Sequence, residues 1–382
     1  MFIIGGGPVV HAEGLLGAGW LAVEDGVIVA TGEGDPDQPC SFDLAGRTLA
    51  PGFVDQHCHG GGGNSFITTD VDEARQAVTF HRQHGTTSLI ASLVSGSAAD
   101  LTAQIRTLIP LVDEGVIFGI HLEGPWIASA RCGAHDIAQL RSPTESEVSE
   151  LLAVGDGRIK MVTLAPELPG AIEAIALVLQ AGAIAAIGHT DASHRQTELA
   201  IEAGASVATH LNNAMPKMED NQGGPTSALL ESADVTIEMI ADGVHVPVPL
   251  LSSVFDRCGH SRVALITDAM PAAGVADGEY MLGNVPVIVV DGVARMASSG
   301  ALAGSTLTLD RALHVVTSSC GAGLADAMTM LAATPARKMG LGDRGAIEVG
   351  KRADLIVLGS GLEVEAVMER GEWVVGAMTA AE

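Results

Sequence analysis

Side chains that bind metal ions or transfer protons recur at the ends of short apolar segments of this chain. They are His57, His59, Glu123, His189, His210, His245 and Asp268. A single one would be ambiguous, because a lone histidine at a strand end is more often structural and an aspartate there is often a helix N-cap. Six segments that end in this way favour a shared site. Imidazole nitrogens and carboxylate oxygens suit zinc and related divalent ions, so we predict a catalytic metal centre.

Eight segments rich in Val, Ile and Thr are the predicted strands that position these residues. They begin near residues 53, 86, 116, 159, 183, 205, 235 and 263. Between some of them, apolar residues recur at helical spacing over 72–84, 168–181 and 193–203, and glycine follows each stretch. Alternating strands and helices indicate a parallel sheet. Eight such units indicate an α/β protein with a (β/α)8 TIM barrel, whose active site lies at the carboxyl ends of the strands.

Two local patterns refine this prediction. His57 and His59 are two residues apart, so on a strand both imidazoles would point to the same face. In the segment 142–145, Ser142 is the predicted N-cap of a helix and Pro143 its first residue. Glu145, three residues after the cap, would then complete a capping box.

The two ends of the chain do not follow the barrel pattern. Residues 1–52 and 344–382 contain short alternating segments that are typical of strands and hairpins. Because one end precedes the barrel and the other follows it, we predict that they form one small β-sandwich domain beside a barrel domain over 53–343. A further hairpin is predicted over 279–296, inserted after the eighth strand.

Composition excludes several classes of protein. The 382 residues include 20 Lys and Arg against 46 Asp and Glu, a formal charge of −26, which disfavours binding to nucleic acid or to anionic membranes. Since no 18-residue window lacks polar groups, we predict no membrane span. The five cysteines are scattered without CxxC spacing, so we interpret them as reduced thiols. The first residues lack the features of a secretory leader, and we expect a cytoplasmic protein.

The motifs around the candidate residues resemble those of the amidohydrolase superfamily. The shared features are the His-X-His after the first strand, the lone aspartate after the eighth, and the segment GAIEVGKRADLIVL. More narrowly, segments in chain order are similar to the N-acetylglucosamine-6-phosphate deacetylase family: HLEGPW (121–126), GAHD (133–136), TLAPE (163–167), IGHT (187–190), THLNNAMP (209–216), ADGVHV (241–246), TDAM (267–270) and LAGS (302–305). The resemblance covers nearly the whole chain. It implies hydrolysis of the acetamide of an amino sugar phosphate.

The resemblance also implies a set of metal ligands. At the matching positions, Glu123, His189 and His210 would hold the principal metal. Since His57 and His59 are both present, it further implies a second metal with Glu123 bridging the two; a hydrogen-bonded histidine pair without a metal is the alternative. We expect Zn²⁺, one or two ions per subunit, with Fe²⁺, Mn²⁺ and Co²⁺ left open.

The resemblance assigns catalytic and substrate-binding roles as well. Asp268 would take a proton from water and deliver it to the departing nitrogen, and His135 of GAHD would stabilise the oxyanion. The products would be acetate and an amino sugar phosphate. The implied substrate contacts are His245, Asn213, Ala214, Asn221 and Lys217. Arg131, close to GAHD in the sequence, is added as a further candidate contact.

One position departs from the family pattern. Eleven residues beyond the His210 ligand, the family usually has an arginine that grips the 6-phosphate, often that of the neighbouring subunit's substrate, and this chain has Asn221. Asparagine brings no charge, so phosphate binding would be weaker at this position. Lys217 offers a point charge, which Glu219 and Asp220 oppose. The resemblance nevertheless implies a homodimer.

Three alternative functions therefore stay open. The substrate could be a different or unphosphorylated N-acetyl amino sugar, such as N-acetylgalactosamine 6-phosphate. The chain could instead be another amidohydrolase acting on an N-acyl or cyclic amide, although many of those carry a lysine after the fourth strand, where this chain has TLAPE. A non-catalytic sugar-binding protein would not need Asp268.

Overall fold

The computed structural model of the protein describes residues 1–11, 14–216 and 223–376. The predicted substrate contacts Lys217 and Asn221 lie outside the described residues. Within them, eight strands follow one another in chain order in a single sheet. These are Phe53–Asp55, Thr86–Leu93, Gly119–Glu123, Ile159–Leu164, Ile184–Ile187, Val207–Ala208, Thr236–Ile240 and Val263–Ile266. From the second strand to the eighth, each neighbouring pair is parallel.

Helices alternate with these strands, which confirms the predicted TIM barrel. They are Val71–Gln83, Ala98–Asp113, Glu145–Gly155, Ala171–Gln180, His194–Glu202, Pro225–Glu231, Val248–Cys258 and Leu309–Ser318. Short 3₁₀ turns cover Ser129–Arg131, Ile137–Gln139 and His260–Arg262. Near the C-terminus, Leu324–Met328 and Thr334–Lys338 are helical and flank a π-helical turn over Thr329–Ala333. No helix among the described residues has both the length and the apolar character needed to cross a membrane.

The predicted cap of the third helix is wrong by two residues. The helix starts at Glu145, and Thr144 is its N-cap, accepting a hydrogen bond from the Glu147 backbone N–H. Both Ser142 and Thr144 have a glutamate three residues later, so the local pattern alone allowed either start. The Thr144 start places the Glu147 carboxylate where it accepts hydrogen bonds from the side chains of Trp126 and Arg141.

Backbone hydrogen bonds join the segments that follow the first and the last barrel strands. The Asp268 N–H donates to the carbonyl of His57 at 2.9 Å, and the His59 N–H donates to the carbonyl of Ala269 at 2.8 Å. These bonds hold His57, His59 and Asp268 beside one another at the carboxyl end of the sheet.

The chain ends form a second eight-stranded sheet, as predicted for the small β domain. Its strands are Phe2–His11, Gly14–Glu24, Val27–Glu33, Phe42–Asp43, Thr48–Pro51, Leu355–Leu358, Val364–Glu369 and Glu372–Val375. The C-terminal strand Leu355–Leu358 pairs antiparallel with Thr48–Pro51. An apolar core that includes Leu21, Leu49 and Val357 supports this sheet.

The predicted hairpin after the eighth barrel strand is confirmed and has a third strand. Gly278–Leu282, Val285–Val290 and Val293–Met296 form an antiparallel meander. By its internal contacts the chain divides into two compact units, one of 1–55, 81–88 and 309–382, and the other of 56–80 and 89–308. The domain bounds given above stay a prediction.

Candidate active site

Barrel strands place the candidate residues at one edge of the sheet. Glu123 is the last residue of the third strand, whereas His57, His189, His210 and Asp268 each lie two positions beyond the end of a strand. Three of these have left-handed backbones, with φ of 47° at His189, 27° at His210 and 49° at Asp268. Such a conformation costs a non-glycine residue about 1–3 kcal/mol and is concentrated at functional sites. The surrounding fold therefore imposes these side-chain directions.

One half of the site gathers His57 and His59 with two carboxylates. The Nε2 atoms of the two histidines are 3.2 Å apart. His59 Nε2 lies 3.1 Å from Glu123 Oε2 and 3.2 Å from Asp268 Oδ1. His57 Nε2 lies 3.5 Å from each of the same two oxygens. All four side chains are buried, and their donor atoms are close enough together to share one metal ion.

The other half of the site faces the second oxygen of Glu123. His189 Nε2 lies 3.0 Å from Glu123 Oε1, and His210 Nε2 lies 2.9 Å from the same atom. The two Nε2 atoms are 3.1 Å apart. Glu123 thus presents one carboxylate oxygen to each pair of histidines, which is the arrangement that a bridging carboxylate requires.

Backbone carbonyls reveal the tautomers of two of these histidines. His59 Nδ1 is 3.1 Å from the carbonyl oxygen of Ser92, and His189 Nδ1 is 2.9 Å from that of Arg131. A carbonyl can only accept, so each Nδ1 carries a proton, and each ring has its lone pair on Nε2 whenever it is neutral, as a metal ligand must be. These lone pairs point at carboxylate oxygens and at other imidazoles. A bound cation resolves this opposition, so the donor set fits a metal.

A buried glutamate orients His57 in a similar way. His57 Nδ1 lies 3.2 Å from Glu238 Oε2, while the other oxygen of Glu238 accepts a hydrogen bond from Gln56 Nε2 at 2.8 Å. Glu238 Oε2 also accepts the backbone N–H of His210 at 3.3 Å. A carboxylate behind a ligating histidine fixes the ring and its tautomer in many metal sites.

The electrostatics of the cluster favour positive charge between its carboxylates. Burial works to lower the pKa of His59, but Asp268 and Glu123 outweigh it and raise that pKa to about 9. Burial likewise acts to lower the pKa of His57, but Glu123 and Asp268 outweigh it and raise that pKa well above its usual value. Burial would raise the pKa of Asp268, yet His57 and His59 hold it below its usual range. The carboxylates are therefore charged at neutral pH, and the site attracts a cation.

A cavity of about 380 Å³ opens beside this cluster. This volume is in the range of small-molecule sites. The cavity is lined by the cluster residues His59, Glu123, His135, His189, His210 and Asp268, by the predicted substrate contacts Arg131, Asn213, Ala214 and His245, and by apolar residues such as Val94, Met215, Leu282 and Leu302. A larger cavity of about 510 Å³, lined in part by His11, Arg337 and Lys351, contains none of the predicted site residues.

Neighbouring groups restrain the predicted substrate contacts in this cavity. The ring of His245 donates through Nδ1 to Asp242 Oδ2 at 2.6 Å, and Asp242 Oδ1 accepts the backbone N–H of His245. Arg131 forms an ion pair with Asp191 at 2.8 Å. The amide of Asn213 donates to the carbonyl of His210 at 3.2 Å. Among the lining residues that the structure describes, Arg131 is the one with a lysine or arginine side chain.

Sequence reasoning missed the residues that support the ligands. Glu238, Gln56 and Ser92 are all buried and lie behind the histidines. Only Glu238 leaves a recognisable signal, because it is a charged residue in the middle of the apolar strand segment VTIEMIAD. A carboxylate there is costly to bury unless a partner is near, so it could have been identified as a supporting group.

Comparisons with known proteins identify the family that the chain resembles over most of its length. Residues 48–374 match the model of the amidohydrolase family. The chain is 33% identical over 366 residues to an N-acetylgalactosamine-6-phosphate deacetylase of Escherichia coli O157:H7, covering 94% of this chain and 96% of that protein. It is 34% identical over 336 residues to an N-acetylglucosamine-6-phosphate deacetylase of Vibrio furnissii, covering 87% and 84%. The chain also resembles a solved structure of a mutant N-acetyl-D-glucosamine-6-phosphate deacetylase from Mycobacterium smegmatis in complex with N-acetyl-D-glucosamine-6-phosphate. The TM-score is 0.96 at 44% sequence identity, and the match covers 98% of this chain and 99% of that chain.

Proposed function

The chain belongs to the amidohydrolase family, and from this membership we propose that it hydrolyses the acetamide of N-acetylglucosamine 6-phosphate to glucosamine 6-phosphate and acetate. The observation that carries the proposal is the convergence of His59, Glu123, His189, His210 and Asp268 on one cavity, with His57 in contact with Glu123 and Asp268. An aspartate beside the metal ligands and open to the cavity is needed for hydrolysis and not for sugar binding alone.

We assign the metal ligands as follows. Glu123, His189 and His210 would hold the principal metal, and His57 and His59 would hold a second one together with Glu123. When bound, a divalent ion acidifies water and polarises a carbonyl group. We propose Zn²⁺, because imidazole and carboxylate ligands suit it and a site with a free position is catalytic.

The protein's own groups then carry the proton and hold the substrate. Asp268 Oδ accepts a proton from the attacking water and later delivers it to the nitrogen that leaves as the amine. His135 Nε2 donates a hydrogen bond to the acetamide oxygen as negative charge develops there. His245, Asn213 and the backbone at Ala214 position the sugar phosphate in the cavity.

We also propose a homodimer in the cytoplasm. A sugar phosphate is an anion that does not cross membranes unaided, so its hydrolysis belongs where it is made. The dimer would bring a neighbouring subunit to the phosphate, for which Arg131, Lys217 and Asn221 are the candidate contacts of this chain. A monomer in light scattering would contradict this part of the proposal.

A second substrate has specific support. The Escherichia coli protein that matches 94% of this chain acts, by its name, on N-acetylgalactosamine 6-phosphate. The two sugars differ only in the orientation of the hydroxyl at C4. Discrimination between them depends on hydrogen bonds to that hydroxyl, so both substrates belong in the first assay.

The decisive experiment measures acetate release from protein of known metal content. The substrates are N-acetylglucosamine 6-phosphate, N-acetylgalactosamine 6-phosphate and unphosphorylated N-acetylglucosamine, and the Asp268→Asn variant is the control for turnover. We expect kcat/KM to favour the phosphorylated glucosamine by about 100-fold over the unphosphorylated sugar, or about 2.7 kcal/mol. Comparable rates would assign a different N-acetylated sugar, and no acetate from any of them would refute the deacetylase.

A further inference from the structure

His135 makes contacts that differ from those of the other histidines in the site. Its Nδ1 lies 3.1 Å from the backbone nitrogen of Ser95 and 2.9 Å from the hydroxyl of the same residue. A backbone N–H can only donate, so Nδ1 of His135 accepts and carries no proton. A neutral His135 therefore carries its proton on Nε2, and this atom lies 3.4 Å from Glu123 Oε2, on the side of the cavity.

The other rings have the opposite protonation. The Nδ1 atoms of His59 and His189 face carbonyl oxygens, which leaves a lone pair on Nε2 for a metal. Five imidazoles line the cavity: His59, His135, His189, His210 and His245. The hydrogen-bond partner of Nδ1 determines what a ring presents at Nε2. His135 presents a hydrogen-bond donor where His59 and His189 present electron pairs.

We propose that Ser95 is a positioning residue that locks His135 in the Nε2–H tautomer, making His135 a hydrogen-bond donor to the substrate's carbonyl oxygen and not a metal ligand. This inference rests on the proposed function for the identity of the acceptor, but the tautomer itself does not. Without Ser95 the distances alone would allow His135 to join Glu123 and His189 around a metal.

The surroundings of Ser95 maintain this contact. Ser95 lies just beyond the second barrel strand, is 6% exposed, and packs against Gly124, where an added Cβ would lie 2.3 Å from the Ser95 hydroxyl. The glycine, with φ of 77°, therefore leaves the space that the hydroxyl occupies. The backbone N–H of Ser95 occupies the lone pair of His135 Nδ1, so the ring proton has one location, Nε2.

The tautomer is measured directly by NMR on zinc-loaded protein labelled with ¹⁵N-histidine. The two-bond proton–nitrogen correlations of a ring distinguish Nε2–H from Nδ1–H, and His135→Gln identifies which signals belong to residue 135. We expect the Nε2–H pattern for His135. An Nδ1–H pattern, or an Nε2 resonance that moves with metal loading as a ligand's does, would overturn the inference whether or not the enzyme releases acetate.

Kinetics of matched variants test the role of the donor. The amide nitrogen of glutamine reaches the position of Nε2, whereas that of asparagine reaches only Nδ1. We expect His135→Asn and His135→Ala to lower kcat about 10²–10³-fold and His135→Gln to recover at least tenfold of that loss. Equal losses in all three variants would contradict a donor role at Nε2.

The part played by Ser95 is isolated by a double-mutant cycle. Ser95→Ala keeps the backbone donor but removes the hydroxyl, so kcat should fall about 3- to 10-fold while KM stays within twofold. In the His135→Gln background the same substitution should have no effect on kcat, since Ser95 acts through the imidazole. Thr197→Ala, which removes a buried hydroxyl from the helix His194–Glu202 outside the site, is the control for stability and should leave the His135 NMR pattern unchanged. Additive losses in the cycle would show that Ser95 is merely structural.

Discussion

Glu238→Gln tests whether the metal centre depends on the buried carboxylate behind it. Glu238 is fully buried and accepts three hydrogen bonds, from His57 Nδ1, from Gln56 Nε2 and from the backbone N–H of His210. Glutamine has the same shape but only one acceptor oxygen. Its amide nitrogen must face one of these donors, either the amide of Gln56 or the ring of His57.

Either orientation weakens metal binding. If the new amide faces His57, the ring accepts through Nδ1 and its proton moves to Nε2, where it occupies the lone pair that faces Glu123. If it faces Gln56, two donors oppose each other unless the Gln56 amide turns, and in either case the negative charge behind His57 is lost. Substituting a group that hydrogen-bonds to the far ring nitrogen of a ligating histidine usually lowers metal affinity by about 10- to 100-fold, or about 1.4–2.8 kcal/mol. We expect the upper part of this range, because Glu238 also holds the backbone of His210.

The assay is metal content after dialysis against a chelator of known affinity, together with thermal unfolding of the metal-free protein. Glu231→Gln is the matched control, since Glu231 is half exposed and pairs with His194 at 3.1 Å on the surface. If Glu238→Gln unfolds, Glu238→Asp keeps the charge and tests the same contact. A folded Glu238→Gln variant that binds metal within twofold of the parent's affinity would refute the reasoning.

Three further predictions concern catalysis and stability. Asp268→Asn should lower kcat by about 10²–10⁴-fold while metal content and sugar binding persist, measured by acetate release and calorimetry; retained turnover would contradict its proton-transfer role. Chelator-treated protein should lose activity and recover it with Zn²⁺ or another divalent ion, whereas full activity without metal would exclude the proposed mechanism. Burial acts to raise the pKa of Glu147. The hydrogen bonds from Arg141 and Trp126 outweigh this effect and hold that pKa below its usual value. A depressed carboxyl pKa contributes stability above the unfolded value of about 4.3 that is lost as the pH falls through the folded value. The Tm difference between the parent and Glu147→Gln should therefore shrink below about pH 4, and a difference that is constant with pH would argue against this ion pair.

Local patterns were enough to predict the architecture. Apolar segments, helical spacing and following glycines placed helices near Val71–Gln83, Ala171–Gln180 and His194–Glu202, where the structure has them. The same patterns failed at Ser142, since Thr144 has an equivalent spacing to a glutamate and only the partners of Glu147 distinguish the two starts. Local rules identify a helix more readily than its first residue.

The candidate ligands were predictable because each lies next to a strand end. The sequence shows that His57, His59, Glu123, His189 and Asp268 follow apolar segments, and the barrel brings such positions to one rim. Lys217 and Asn221, by contrast, lie outside the described residues, so their contacts with the phosphate stay predictions.

By itself, then, the sequence determined which residue types reach the rim and in what order along the chain. Only the tertiary structure decided which ring nitrogen of each histidine faces the cavity. That choice depends on outer partners distant in sequence, such as Glu238 behind His57 and Ser95 behind His135. It also depends on the left-handed backbone of His189, which the local sequence alone does not impose. A histidine's chemistry is set by the hydrogen bond on its far nitrogen, and folding alone brings that partner into place.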